Sequence, residues 1–124
     1  MKADENIYSS DRLTIWSTTA KKQRLLIWSG ECDFRNPAEV LTPALTAYAQ
    51  GIKEGPVVLD FRGLVFMNSS SVTPILAFVK SLCSRGIAVH LIYNSDVSWQ
   101  RITASSMRTI ATALKSLTVA LEKP

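Results

Sequence analysis

The chain holds little that a catalytic or metal site could be built from. His90 is its only histidine, and Cys32 and Cys83 are its only cysteines, with no C-x-x-C spacing. A zinc or iron site needs several such ligands at short intervals, and Asp60 and Asp96 supply no ligand spacing either. No cofactor and no metal ion is therefore expected. There is no G-x-S-x-G elbow and no phosphate-binding glycine loop. A serine nucleophile would have to rely on His90, which alternates with Val89 and Leu91 as a structural strand residue does. The chain is expected not to be an enzyme. No apolar run approaches the ~18 residues of a membrane span, and Met1 to Asn6 form a polar, acidic start without a signal-like core. A cytoplasmic protein with two reduced thiols, and no membrane partner, is the expectation.

Acidic residues are scarce in the second half. Residues 1–60 carry 7 basic and 8 acidic side chains, net −1, whereas residues 61–124 carry 7 and 2, net +5. That asymmetry favours an acidic partner. No stretch alternates Lys or Arg with stacking aromatics, so nucleic acid is not expected.

At 124 residues and 47% hydrophobic composition the chain makes one domain with one core. Residues 1–12 read as a loosely held polar lead-in, and 13–121 as the domain. Leu13 to Ser17 alternates as a half-buried strand, Arg24 to Ser29 reads as a second, and Ala20-Lys21-Lys22-Gln23 suits the hairpin between them. Gly30 to Phe34 reads as a loop. Asn36, Pro37 and Glu39 mark a helix start. Leu41, Leu45, Tyr48 and Ile52 share its face, and Pro43 should kink it or restart it with Thr42 as cap. Val57 to Phe61 has the continuous apolar run of a strand buried on both faces. Val72, Ile75, Leu76, Val79 and Leu82 follow helical spacing up to Gly86. Ile87 to Tyr93 is another strand, a long helix covers about Val97 to Ser116, and Leu117 to Leu121 forms a short strand or helical turn. The order ββαβαβα implies an α/β fold: a mixed, mostly parallel sheet with helices packed mainly on it.

The informative stretch runs from Val58 to Val72. A buried strand leaves the core, turns at Gly63, and reaches Asn68-Ser69-Ser70-Ser71 just before a helix. Pro74 must lie within the first helical turn, which puts the cap at Ser70 or Ser71. Free amides there accept either a serine cap or a phosphate, so Ser69 and Ser70 are candidate phosphorylation sites as well as candidate caps.

This segment resembles the signature of STAS domains, the anti-sigma factor antagonist family. There a strand ending in Asp and an apolar lead run into Asp-Ser-Ser-Gly or Asp-Ser-Thr-Gly. Leu59-Asp60-Phe61, Phe66-Met67 and Asn68-Ser69-Ser70-Ser71 occupy those places, and Gly30-Glu31-Cys32-Asp33-Phe34 resembles the family's Gly-Glu-hydrophobic-Asp segment. The family's Asp is Asn68 here and its Gly is Ser71. Asn at this place is similar to the SiaC-type branch, whose members bind and activate a diguanylate cyclase when unphosphorylated.

The resemblance implies a STAS-like single domain acting as a signalling adaptor switched by serine phosphorylation. The phosphate falls on Ser69 by the SiaC-type alignment and on Ser70 by the general one. Its implied partners are a serine kinase of anti-sigma type, a PP2C-type phosphatase, and an effector such as a diguanylate cyclase or a sigma-factor regulator. Asn68 and Ser71 would then belong to the partner surface. Arg101, Arg108 and Lys115, spaced seven apart, either form a docking stripe or a solvated helix face. Trp99 is an interface anchor or a core residue. The alternative function is a constitutive STAS subunit of an ATPase or transport complex, with the serines as caps only.

Overall fold

Two periodicities organise the chain, and a computed structural model describes residues 5–124 of it. The elements are β1 (Glu5–Ser9), β2 (Leu13–Ala20), β3 (Gln23–Cys32), α1 (Pro37–Gln50), β4 (Val57–Met67), a 3₁₀ turn (Ser69–Ser71), α2 (Val72–Ser84), β5 (Val89–Asn94), α3 (Ser98–Ala111) and β6 (Leu117–Glu122). One six-stranded sheet follows sequence order from β1 to β6. The first two pairings are antiparallel and the last three parallel. The three crossovers advance in one direction, so right-handed connections place α1, α2 and α3 on one face.

Alternation decides which strand residues meet the helices. Leu26, Trp28, Leu59, Phe61 and Leu91 point into one core with Leu41, Phe78, Val79 and Met107. Phe61 sits between Trp28 and Tyr93, with ring centroids 5.1 Å from each. Among the described residues, no helix covers the other sheet face. It carries the cross-strand partners Trp16 and Ile27, 44% and 40% exposed, and the Asp60–Arg62 ion pair at 2.8 Å. His90 lies on this face and its Nδ1 meets Thr118 Oγ1 at 2.5 Å, a structural setting. Among the described residues, no helix is long and apolar enough to cross a membrane.

Several boundaries differ from those read in the sequence. Part of the presumed loose lead-in is β1, an edge strand paired with β2; residues 1–4 lie outside the described residues. Pro43 neither breaks nor restarts α1, which runs unbroken from Pro37 to Gln50; the carbonyl it cannot serve belongs to Glu39, an exposed residue. The hairpin turn is Lys21-Lys22, both with positive φ (53° and 66°), as a type I′ turn requires. β3 runs on through Gly30 to Cys32 instead of ending in a loop. Arg12 O would lie 2.0 Å from a Cβ at Gly30, so only glycine fits that crossing. The chain does not turn at Gly63 either; β4 continues through it, pressed against Trp28 O and Ser29 of β3. α3 stops at Ala111, so Lys115 lies beyond the helix and cannot complete a stripe with Arg101 and Arg108. The tail is a strand, β6.

Candidate functional site

The site begins with the overhang of β4. β5 pairs only with Val57–Asp60, so β4 from Phe61 to Met67 has a neighbouring strand on its β3 side alone. Backbone groups left unpaired at the buried positions of this edge, Phe61 and Leu64, would each cost about 1–3 kcal/mol. Side chains take the place of the missing strand. Gln100, fully buried on α3, donates from Nε2 to Phe61 O (2.9 Å) and Leu64 O (3.0 Å), while its Oε1 accepts from Asn94 N (2.7 Å). Asn94 Nδ2 donates to Arg62 O at 3.4 Å, and Trp99 Nε1 donates to Val65 O at 2.9 Å. Asp60 accepts from the Arg62 backbone amide and guanidinium, and hydrogen bonding to Asp60 raises the Arg62 pKa further. The overhang therefore holds a fixed direction as it delivers the chain to Asn68.

Asn68 is the next fixed point. Its amide N–H donates to Cys32 O (3.0 Å) and its Nδ2 to Phe34 O (2.9 Å). Its Oδ1 accepts from the Ser71 hydroxyl at 2.5 Å, and its carbonyl accepts from Ser71 N at 3.1 Å. Ser71 is fully buried, and the Cys32 thiol donates to its Oγ at 3.2 Å. Burial pushes the Cys32 thiol pKa up; the Ser71 bond opposes that and Asp33 reinforces it. Cys32 thus stays a protonated donor inside a closed network.

Between those fixed points stand Ser69 and Ser70. Both are exposed, and neither hydroxyl makes a hydrogen bond among the described residues. Of the two expected caps, Ser70 and Ser71, the cap position of α2 falls to Ser71, whose side chain makes no capping bond, and Pro74 falls in the first turn as expected. Ser71, expected with Asn68 on a partner surface, is buried here. Its hydroxyl faces inward because Cys32 and Asn68 occupy the space on either side of it. Asn68 is a brace for the loop.

Three large apolar side chains are exposed on the neighbouring elements. Val65 (69% exposed) and Phe66 (45%) lie three to four residues before Ser69, and Ile102 (69%) stands one turn after Trp99 on α3. Trp99 is half-buried against the core while its indole N–H holds Val65, so it has a part in both. Arg101 is exposed and donates to Ser95 O at 2.9 Å. Arg108, exposed in the last turn of α3, lies seven residues or ~10 Å further along the helix. The structure brings Asn68, Ser69, Ser70 and Ser71 into one turn.

Sequence reasoning missed Gln100, Asn94 and Cys32. Gln100 had a visible signal: a polar side chain at a core position of the stripe Gln100, Ala104, Met107. Among the described residues, no cluster of three His, Cys, Asp or Glu could hold a metal ion. Compared with known proteins, the chain matches no family model and no curated protein.

Proposed function

We propose that the chain is an intracellular signalling adaptor, not an enzyme, whose partner binding is switched by phosphorylation of Ser69 or Ser70. The observation that carries this reading is the contrast within one turn. Two exposed hydroxyls without partners sit between a buried, fully bonded Ser71 and a braced Asn68. A phosphoryl group added there changes the surface by about −1.5 to −2 charges without entering the core. Phe66, an exposed apolar side chain three residues before Ser69, is close enough in the chain for such a group to alter its charge environment. The STAS resemblance of the same segment supplies the partner classes: an anti-sigma-type serine kinase, a PP2C-type phosphatase, and an effector such as a diguanylate cyclase or sigma-factor regulator. Comparing the proteins bound by Ser69→Asp, Ser70→Asp and the natural chain tests the switch. A changed set with an intact fold is expected. An identical set for all three argues against it.

A second reading is a constitutive adaptor, a STAS-like subunit of an ATPase or transport complex. It is favoured by the exposure of Val65, Phe66 and Ile102, which needs no phosphate to attract a partner. An ATPase complex indifferent to substitutions at Ser69 and Ser70 would select it.

A further inference from the structure

Arginine is the side chain that most readily takes up a phosphate, through two parallel N–H bonds. Most arginines with a place near the proposed switch are already engaged. Arg12 pairs with Glu31 at 3.2 Å and Asp33 at 3.1 Å. Arg62 holds Asp60 and donates to Lys123 O at 2.9 Å. Arg101 donates to Ser95 O. Arg35 is different: it is exposed and has no hydrogen bond or ion pair among the described residues.

Its backbone position is fixed beside the serines. β3 and β4 are parallel and end in register at Cys32 and Met67. The segments that follow, 33–36 and 68–71, therefore leave the sheet side by side. Two bonds from Asn68 tie them together, one to Cys32 O and one to Phe34 O, the residue before Arg35. The 3₁₀ turn carrying Ser69 and Ser70 also packs against α1, which begins two residues after Arg35.

Resting on the phospho-switch reading, we infer that Arg35 receives the phosphate: a phosphoryl group on Ser69 or Ser70 pairs with its guanidinium. The modified turn is then tied to the chain before α1 at a third point, beyond the two bonds from Asn68. The opposing charges nearby are Glu31 and Asp33, both held by Arg12, and Glu39 in the first turn of α1. None of them occupies Arg35.

The test uses the full chain with phosphoserine introduced during translation at position 69 or at position 70, so it needs no kinase. Phosphorus NMR titration follows the second ionisation of the phosphate in the natural background, in Arg35→Ala and in Arg35→Lys. A paired cation favours the dianion and lowers that midpoint. At one of the two positions the midpoint should lie about half a unit lower with Arg35 than with alanine, the scale of an exposed ion pair, with lysine restoring part of it. Equal midpoints in all three backgrounds at both positions would overturn the inference. Arg35 is exposed, so the variants should keep the natural fold, and matching circular dichroism verifies it. The two readings fail separately. Absence of phosphate on the cellular protein would sink the switch, whereas the titration alone decides whether Arg35 can hold the group.

Discussion

The Ser71 hydroxyl donates to Asn68 Oδ1 across 2.5 Å, and the opposite side of the same amide donates to Phe34 O at 2.9 Å. Asn68 therefore acts as acceptor and donor at once. A carboxylate could perform only the first task, and its second oxygen would face the Phe34 carbonyl. Asn68→Asp should destabilise this chain by about 1–3 kcal/mol at neutral pH. Protonating the new carboxyl regenerates a donor, so the deficit should shrink as pH falls. Urea unfolding of both chains across pH measures it, and equal stability throughout would remove Asn68 as a brace.

Gln100 replaces a strand with one side chain. Gln100→Ala leaves Asn94 N, Phe61 O and Leu64 O without their partner. A loss of about 3 kcal/mol or more is expected. Amide exchange should quicken at Val65 to Met67, because the overhang loses its support from α3. A loss under ~1 kcal/mol would mean that water substitutes for the amide.

Alkaline pH should weaken the fold through Cys32. Its folded pKa is raised above the ordinary 9.0, mainly by burial, so the folded state disfavours the thiolate. This contribution is fully present below about pH 9 and is lost as pH rises through the folded value, at up to ~1.4 kcal/mol per pH unit. Cys83 is shifted the same way by burial, and Tyr93 joins at higher pH. Stability measured at about pH 8 and pH 10 should fall less in Cys32→Ala than in the natural chain. Parallel losses would show that Cys32 does not contribute.

The hairpin turn is a place to gain stability without touching the site. Lys21 and Lys22 both hold positive φ at a cost that Asn and Gly avoid. Changing Lys21→Asn together with Lys22→Gly should add about 1 kcal/mol. Because the turn lies at the end of β3 remote from Cys32, partner binding should not change.

Substituting Phe66 and Ile102 tests whether exposed apolar side chains carry the proposed docking. Both are exposed, so replacing them with serine should move stability by no more than about 0.5 kcal/mol. Affinity for a partner recovered with the natural chain should drop tenfold or more. Full affinity in the double variant would place the docking surface elsewhere.

Much of the architecture was legible because periodicity and burial coincide. The apolar run Val57–Phe61 marks the first half of β4, and the stripe Val72 to Leu82 marks α2 near its observed position. What escaped depends on contacts distant in sequence. Glu5–Ser9 looks like a polar tail and becomes a strand only by pairing with β2. Gly63 looks like a turn and is instead a close strand crossing beside Trp28 O. Within the site, the serine run before α2 was plain, but the division of labour was not. Three adjacent serines are chemically alike in sequence, and only the Cys32 and Asn68 contacts mark Ser71 as the buried one.

The most direct measurement is phosphopeptide mapping of the protein isolated from its own cells under at least two growth states. Phosphate on Ser69 or Ser70, varying with condition and never on buried Ser71, is the predicted result. A fully covered peptide from this segment that stays unmodified in every state would contradict the switch and leave the constitutive adaptor as the better reading.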